Sequence, residues 1–302
     1  MNRRSFLQSA GVLAAAPAFA QQQAPPSNLK IENDVVFGKG GDLDLKLDIY
    51  HPPAGTEKRM AIIHLHGGGF AGGSKAGVAG SSRAFTGLGY VSIASQYRLT
   101  GQSRWPAQIE DVKAAIRWTR ANASRLNIDP NKIAVAGYSA GGLMALFAAG
   151  TQDKKEFDGN GGNAGVSTTV SACIAFYPAT NATAGLMPEG SDRAAMEAAS
   201  PATYISAGFA PTVFLHGLAD TTTRPENSIA FFDKLRAAGV KVDLHLFQGA
   251  PHAYEGSNAD AALASAQVTH LFLDRVVLNP KEYPPFGAGR GRGGGGGRGG
   301  QQ

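Results

Sequence analysis

Cysteine is nearly missing: the 302 residues hold one, Cys173. A single thiol has no internal disulfide partner and supplies too few thiolates for a cysteine-built zinc site or an iron–sulfur cluster, so redox and metal chemistry lose their usual ligands. No cofactor is expected. Charge is scarce too, and the formal net charge of +5 suggests a basic surface only until it is located. Arg3, Arg4, Arg290, Arg292 and Arg298, all near the termini, account for the whole excess. The stretch from Gln21 to Phe286 is therefore neutral, which removes the electrostatic footprint that a nucleic-acid partner needs on the folded part. No apolar run reaches the ~18 residues that span a bilayer, so no membrane span is expected. No internal repeat is present. Against these absences, 43% of the residues are hydrophobic, enough for a sizeable core in one large domain or two small ones.

The two ends differ from the body. Met1 to Ala20 reads as an export signal: the pair Arg3-Arg4, an apolar stretch from Phe6 to Ala16 interrupted by Gln8 and Ser9, and small residues Ala18 and Ala20 before an expected cleavage. The order Asn2-Arg3-Arg4-Ser5-Phe6-Leu7 resembles the twin-arginine signal, implying export of a folded protein to the periplasm or the medium, with general secretion as the alternative. Residues 21–29 read as a flexible leader and residues 30–286 as one domain. Residues 287–302, nearly all glycine and arginine, lack the apolar side chains that offset the entropy of ordering and read as a disordered, solvated tail.

Within the body, Leu43, Leu45, Leu47 and Ile49 alternate with Asp42, Asp44, Lys46 and Asp48, a period of two that predicts a strand with one wet face. Gly40-Gly41 before it predicts a hairpin turn to a strand at Val35 to Phe37. Short apolar runs at 61–65, 91–94, 133–136, 173–176, 213–215 and 242–247 read as further strands, most of them fully buried. Helical spacing separates several of them. Between Ala107 and Ala123 it puts Ile109, Val112, Ile116 and Trp118 near one side and leaves Glu110, Lys113, Arg117 and Arg120 to face water. Ile229, Phe232 and Leu235 repeat the spacing, as do Val268, Leu271 and Phe272. Strand and helix in alternation predict an α/β fold, a mostly parallel sheet opened by an antiparallel hairpin with helices on both faces. Ligands bind such sheets at the carboxyl ends of the strands.

Two glycine motifs fall at those ends. Gly137-Tyr138-Ser139-Ala140-Gly141 fits G-x-S-x-G; composition alone supplies roughly 0.3 matches in such a chain, so context decides. Ser139 follows the buried run at 133–136 and precedes the helix-compatible stretch 143–149, which puts it on a sharp strand-to-helix turn with the Ala140 N–H at a helix N-terminus. His66-Gly67-Gly68-Gly69 follows the strand at 61–65, and its unhindered N–H groups suit an oxyanion hole formed by Gly68, Gly69 and Ala140. A serine hydroxyl needs a base, and the base needs an orienting partner. Asp220 after the strand at 213–215 and His252 after the strand at 242–247 supply them, in the chain order expected of this architecture. His66 reads as a local structural residue and His216 as a brace for its loop. His51, His64, His245 and His270 sit where structural roles are expected, and Asp111 and Asp129 read as surface or turn residues.

From about Lys30 to Leu278 the chain resembles the α/β-hydrolases, in the exported bacterial esterase group that includes feruloyl and acetylxylan esterases and neighbours the hormone-sensitive-lipase-like enzymes. The resemblance rests on His66-Gly67-Gly68-Gly69-Phe70 with Gly73-Ser74-Lys75, Tyr97-Arg98-Leu99, Asp129-Pro130, Gly137 to Gly142, His216 to Asp220 and Gly249-Ala250-Pro251-His252. It implies an esterase with Ser139 as nucleophile, Asp220 as orienter and His252 as base, acting on a small-molecule or carbohydrate-linked ester. Acetyl or feruloyl esters of plant polysaccharide are the substrate class it suggests. Thr221-Thr222-Thr223-Arg224 stands where many relatives carry a Val-Pro pair. Phe70 and Tyr138, with Trp105 and Tyr177, are the candidate substrate-contacting aromatics. Lys154 to Ser167 reads either as a mobile loop near the site or as an inert connection. The alternatives are a serine peptidase of the prolyl-oligopeptidase type and an inactive hydrolase scaffold that binds a partner. Oligomeric state is not legible.

Overall fold

Eight strands make one sheet, and their order places the chemistry. A computed structural model describes residues 28–152, 154–182, 185–187 and 189–283; the expected signal, most of the leader and the tail at 287–302 lie outside the described residues. The strands are β1 (Lys30–Gly40), β2 (Leu43–His51), β3 (Ala61–Leu65), β4 (Val91–Ser95), β5 (Ile133–Tyr138), β6 (Ala172–Phe176), β7 (Thr212–Gly217) and β8 (Val242–Phe247). Their order in the sheet is β1-β2-β4-β3-β5-β6-β7-β8, antiparallel at the first two pairings and parallel at the rest. The expected hairpin and parallel body are both present, with β1 several residues longer than its apolar centre predicted.

Side-chain alternation divides the interior into two layers. Ile63 and Leu65 of β3 and Val135 of β5 join one cluster, in which helices α2 (Ala107–Ala121), α3 (Ala140–Gly150) and α5 (Pro225–Ala237) bury Ile109, Leu146 and Phe231. Ile62 and Ala136 join the other, against Phe85 of α1 (Ala79–Gly87) and Phe272 of α7 (Ala259–Leu273). Two short helices, α4 (Arg193–Ala198) and α6 (Tyr254–Ser257), complete the set. Each fully buried Leu, Ile or Phe contributes about 1.5–3 kcal/mol of burial, which is why α3, apolar on all sides, is enclosed.

Several expectations are corrected by packing. Lys113 and Arg117 do not face water: their side chains are buried and their charges are spent on backbone carbonyls. The Lys113 ammonium donates to the carbonyls of Thr151 at 2.7 Å and Lys154 at 3.0 Å and lies 3.2 Å from Asp158. Arg117 donates to the carbonyls of Asp158 and Gly162, and Arg120 to those of Pro130, Ser167 and Thr169. These cations pin the 154–167 segment between α3 and β6, and none of its residues lines the cavity beside Ser139. Asp111 is likewise buried, held by a bidentate Arg98 guanidinium and the Arg98 N–H. On α7, Phe272 is buried while Leu271 points outward. With the π turn Asp274–Leu278, α7 makes a helix long and apolar enough by length and composition to cross a membrane, unlike the sequence reading; here its Ala262, Ala266 and Leu273 are buried in the fold.

Candidate active site

The turn from β5 into α3 is built by exclusion of side chains. A Cβ on Gly137 would lie 2.0 Å from the Gly141 carbonyl oxygen, and one on Gly141 would lie 2.1 Å from that of Leu65. Only glycine lets the three segments approach this closely. The turn forces Ser139 to φ 55°, ψ −114°, a conformation that a non-glycine residue adopts at a cost of about 1–3 kcal/mol. Hydrogen bonds fix it there: Ser139 N–H donates to the Phe176 carbonyl, and the Ser139 carbonyl accepts from the N–H groups of Gly142 and Ala179.

Loops from β7 and β8 meet this turn. His252 Nε2 lies 3.0 Å from Ser139 Oγ, and His252 Nδ1 lies 2.7 Å from Asp220 Oδ2. Asp220 is buried. Burial by itself would raise its carboxyl, but the bonds from His252 and from the Thr223 and Thr222 N–H groups outweigh that and hold it below the ordinary carboxylate range. The threonine run after Asp220 thus does local work. Thr222 and Thr223 donate their N–H groups to Oδ1 at 2.8 and 3.0 Å, and the Thr223 hydroxyl lies 3.0 Å from Oδ2 and 2.9 Å from the Tyr177 carbonyl. Sequence reading passed over Thr223; three consecutive hydroxyl residues behind a buried acid were the available signal. His216 braces the loop as expected, bonded to Ser228 and to the Thr223 carbonyl, and burial lowers its basicity.

On the other side of Ser139 runs the glycine loop. A Cβ on Gly67 would crowd Tyr138 O and Ser139 Cβ, at 3.0 and 3.2 Å, so this residue sets how near the loop comes. Among the described residues, the N–H groups of Gly68 and Gly69 donate no backbone hydrogen bond, and Ala140 opens α3, where N–H groups have no intrahelical acceptor. His66 stacks on Tyr97 and bonds the Gly67 carbonyl, a structural position that agrees with its reading.

Gly67, Gly68, Gly69, Ser139, Tyr177 and His252 line a cavity of about 500 Å³. Tyr138 also reaches its wall, with its hydroxyl 3.1 Å from His64 Nδ1 and its ring stacked on Phe176. Phe70 does not: its backbone at φ 66° turns the side chain into the core, where it is 1% exposed. Trp105 packs on Phe147 and Phe157, also away from the cavity. Tyr177, at φ 33°, presents its ring edge to the His252 ring with centroids 4.7 Å apart. Among the described residues, no group of three or more His, Cys, Asp or Glu side chains is placed to hold a metal ion.

The chain is similar to known proteins over most of its length. Residues 47–235 match the BD-FAE family model, a span that takes in His66 to Gly69, Ser139 and Asp220 and stops short of His252. Residues 1–20 match the twin-arginine translocation pathway signal sequence, which addresses the chain for export to the periplasm or beyond. The probable carboxylic ester hydrolase LipM of Mycobacterium tuberculosis is 28% identical over 271 residues, covering 81% of this chain and 61% of LipM. Carboxylesterase NlhH of the same organism is 34% identical over 149 residues, covering 48% of this chain and 46% of NlhH. The chain thus spans between about half and three-fifths of the length of these curated relatives. Among solved structures, Thermogutta terrifontis esterase 2 phosphorylated by paraoxon superposes with a TM-score of 0.72 at 29% identity, covering 84% of this chain and 96% of that one. The α/β-hydrolase fold is shared.

Proposed function

The chain belongs to the BD-FAE family, and from that premise we propose that it is a carboxylic ester hydrolase that works through an acyl-serine intermediate. His252 Nε2 takes the Ser139 proton as Oγ attacks the ester carbonyl, and Asp220 holds the imidazole in the tautomer that accepts it and stabilises the imidazolium that results. The tetrahedral oxyanion sits against the N–H groups of Gly68, Gly69 and Ala140, at the positive end of α3. His252 then returns its proton to the departing alkoxide. Water, deprotonated by His252, attacks the acyl-enzyme and releases the acid, and the proton goes back to Ser139 Oγ.

One observation carries this reading: the unbroken run from Asp220 through His252 to Ser139, at 2.7 and 3.0 Å. The relatives named esterases and the neighbour phosphorylated by an organophosphate support it. On a p-nitrophenyl ester, Ser139→Ala should lower kcat by about 10⁵–10⁶ with the fold intact. Activity within tenfold of wild type would overturn the assignment. A fluorophosphonate should label Ser139, whereas an inactive binding scaffold stays unlabelled, and ester against amide turnover separates esterase from peptidase. For the substrate we extend the reading to acetyl or feruloyl esters of plant polysaccharide, as the sequence resemblance implies; a screen of acetylated sugars, feruloyl esters and short p-nitrophenyl esters tests that extension.

A further inference from the structure

Acyl transfer leaves one buried acid beside the site unused. Glu255, three residues after His252, is 8% exposed. Its Oε1 accepts a hydrogen bond from the Tyr177 hydroxyl, and its Oε2 has no hydrogen-bond partner. A buried polar atom left unpaired has lost its hydration with nothing in return, so a group that pairs with it is favoured over one that does not. Two residues with left-handed backbone bring the pair together, Tyr177 at φ 33° and Ala253 at φ 56°.

Glu255 belongs to two cavities at once. It lines the Ser139 cavity and an adjoining one of about 480 Å³, and Gly77 and Gly256 are shared between them. A Cβ at Gly77, Gly80 or Gly256 would meet nothing within 4 Å, and none of the three has positive φ. Neither backbone geometry nor packing therefore requires glycine there; its effect is to leave room. Burial pushes the Glu255 carboxyl above the ordinary carboxylate range, against the hydrogen bonds from the Tyr177 hydroxyl and its own backbone N–H, and so shifts it toward the neutral acid. A neutral acid both donates and accepts, and rotation about its soft terminal bond presents either oxygen. Arg83, on the wall of the adjoining cavity, has no acidic partner among the described residues, which disfavours a cationic occupant.

We propose that Glu255 is a specificity-determining residue: it takes up a hydroxyl group carried by the substrate in the compartment beyond Ser139, so that uncharged hydroxyl-bearing esters are preferred to their deoxy analogues. This rests on the esterase reading. The test compares kcat/KM within two matched pairs, glyceryl monobutyrate against propyl butyrate for the alcohol side and methyl 6-hydroxyhexanoate against methyl hexanoate for the acyl side. Wild type should favour the hydroxylated member of one pair by about tenfold. Glu255→Leu should bring that ratio below about threefold, and Glu255→Gln, which keeps a donor and an acceptor, should retain it. A purely structural role lowers both members of a pair together and leaves the ratio unchanged. Should Glu255→Leu not fold, Gly80→Leu fills the same compartment from the opposite wall and should remove the same preference. An active wild type indifferent to the hydroxyl, or a Glu255→Leu enzyme that keeps its preference, overturns the proposal alone. A wild type inactive on p-nitrophenyl acetate overturns the esterase reading and this proposal with it.

Discussion

Two glycine-rich loops use their backbones in opposite senses. The loop from His66 to Gly73, at the carboxyl end of β3, keeps the Gly68 and Gly69 N–H groups free of backbone acceptors in residues that line a cavity. The segment around Asp158 to Gly162, between α3 and β6, gives up carbonyls to Arg117 and to the Lys39 N–H. A loop whose donors are unspent has free energy to offer to a developing negative charge. A loop whose carbonyls are tied to a buried guanidinium and a neighbouring strand offers rigidity instead. Composition does not separate them; what faces the backbone does.

Substitutions sharpen the contrast by moving activity at one loop and stability at the other. After Ser139→Ala, the largest effect is expected for Asp220→Asn, which keeps the geometry but favours the wrong His252 tautomer; kcat should fall about 10⁴-fold with an unchanged circular dichroism spectrum. Gly68→Ala comes next. Its Cβ would sit 2.3 Å from the Gly72 carbonyl oxygen at a φ of 117°, so the loop must shift and kcat should fall about 10²–10³-fold, with a lowered thermal midpoint. Away from the cavity, Lys113→Met leaves the carbonyls of Thr151 and Lys154 without their cation and should cost ~2–4 kcal/mol in urea unfolding, while kcat stays within twofold. A Lys113→Met enzyme as inactive as Asp220→Asn would erase the distinction between the two loops.

Smallest per pH unit are the effects on the dependence of stability on pH. His64 is buried, and its imidazole is held down to about 3 by desolvation. Between its ordinary value near 6.5 and that figure the unfolded chain binds a proton that the folded one refuses, so stability should fall by about 1.4 kcal/mol per unit as pH drops through this window. Glu255 acts with the opposite sign. Its raised carboxyl contributes stability fully present below the ordinary Glu value near 4.5 and lost as pH rises through the folded value. His64→Gln should flatten the first slope and Glu255→Gln the second, both read from unfolding midpoints across pH.

Much of the frame was legible. The short run at 61–65 located β3 to the residue, because a strand buried between helices must be apolar or nearly so, and the run at 242–247 located β8, although that edge strand is only partly buried. α1 was not legible: Ala-Gly-Ser-Ser-Arg-Ala-Phe-Thr-Gly carries no apolar period, and it is helical because Ala84 and Phe85 dock on the sheet. The glycine motifs and the order of Ser139, Asp220 and His252 were visible because each follows a strand by a fixed, local rule. Phe70 was misjudged by adjacency. One left-handed residue reverses where a side chain points, and no spacing rule registers that.

Residues at fixed short separations follow local sterics, so the sequence by itself determined the hairpin, the parallel strands, the tight turn at Ser139 and the glycine loop beside it. Burial and pairing depend on what the rest of the chain brings near. Only the tertiary structure decided that Lys113 and Arg117 are interior cations, that Thr223 ties the Asp220 loop to the Tyr177 carbonyl, and that Tyr177, just after β6, meets Glu255 from the segment after β8. These contacts join residues far apart in the chain, and their free energy exists only once the sheet has set the distances between them.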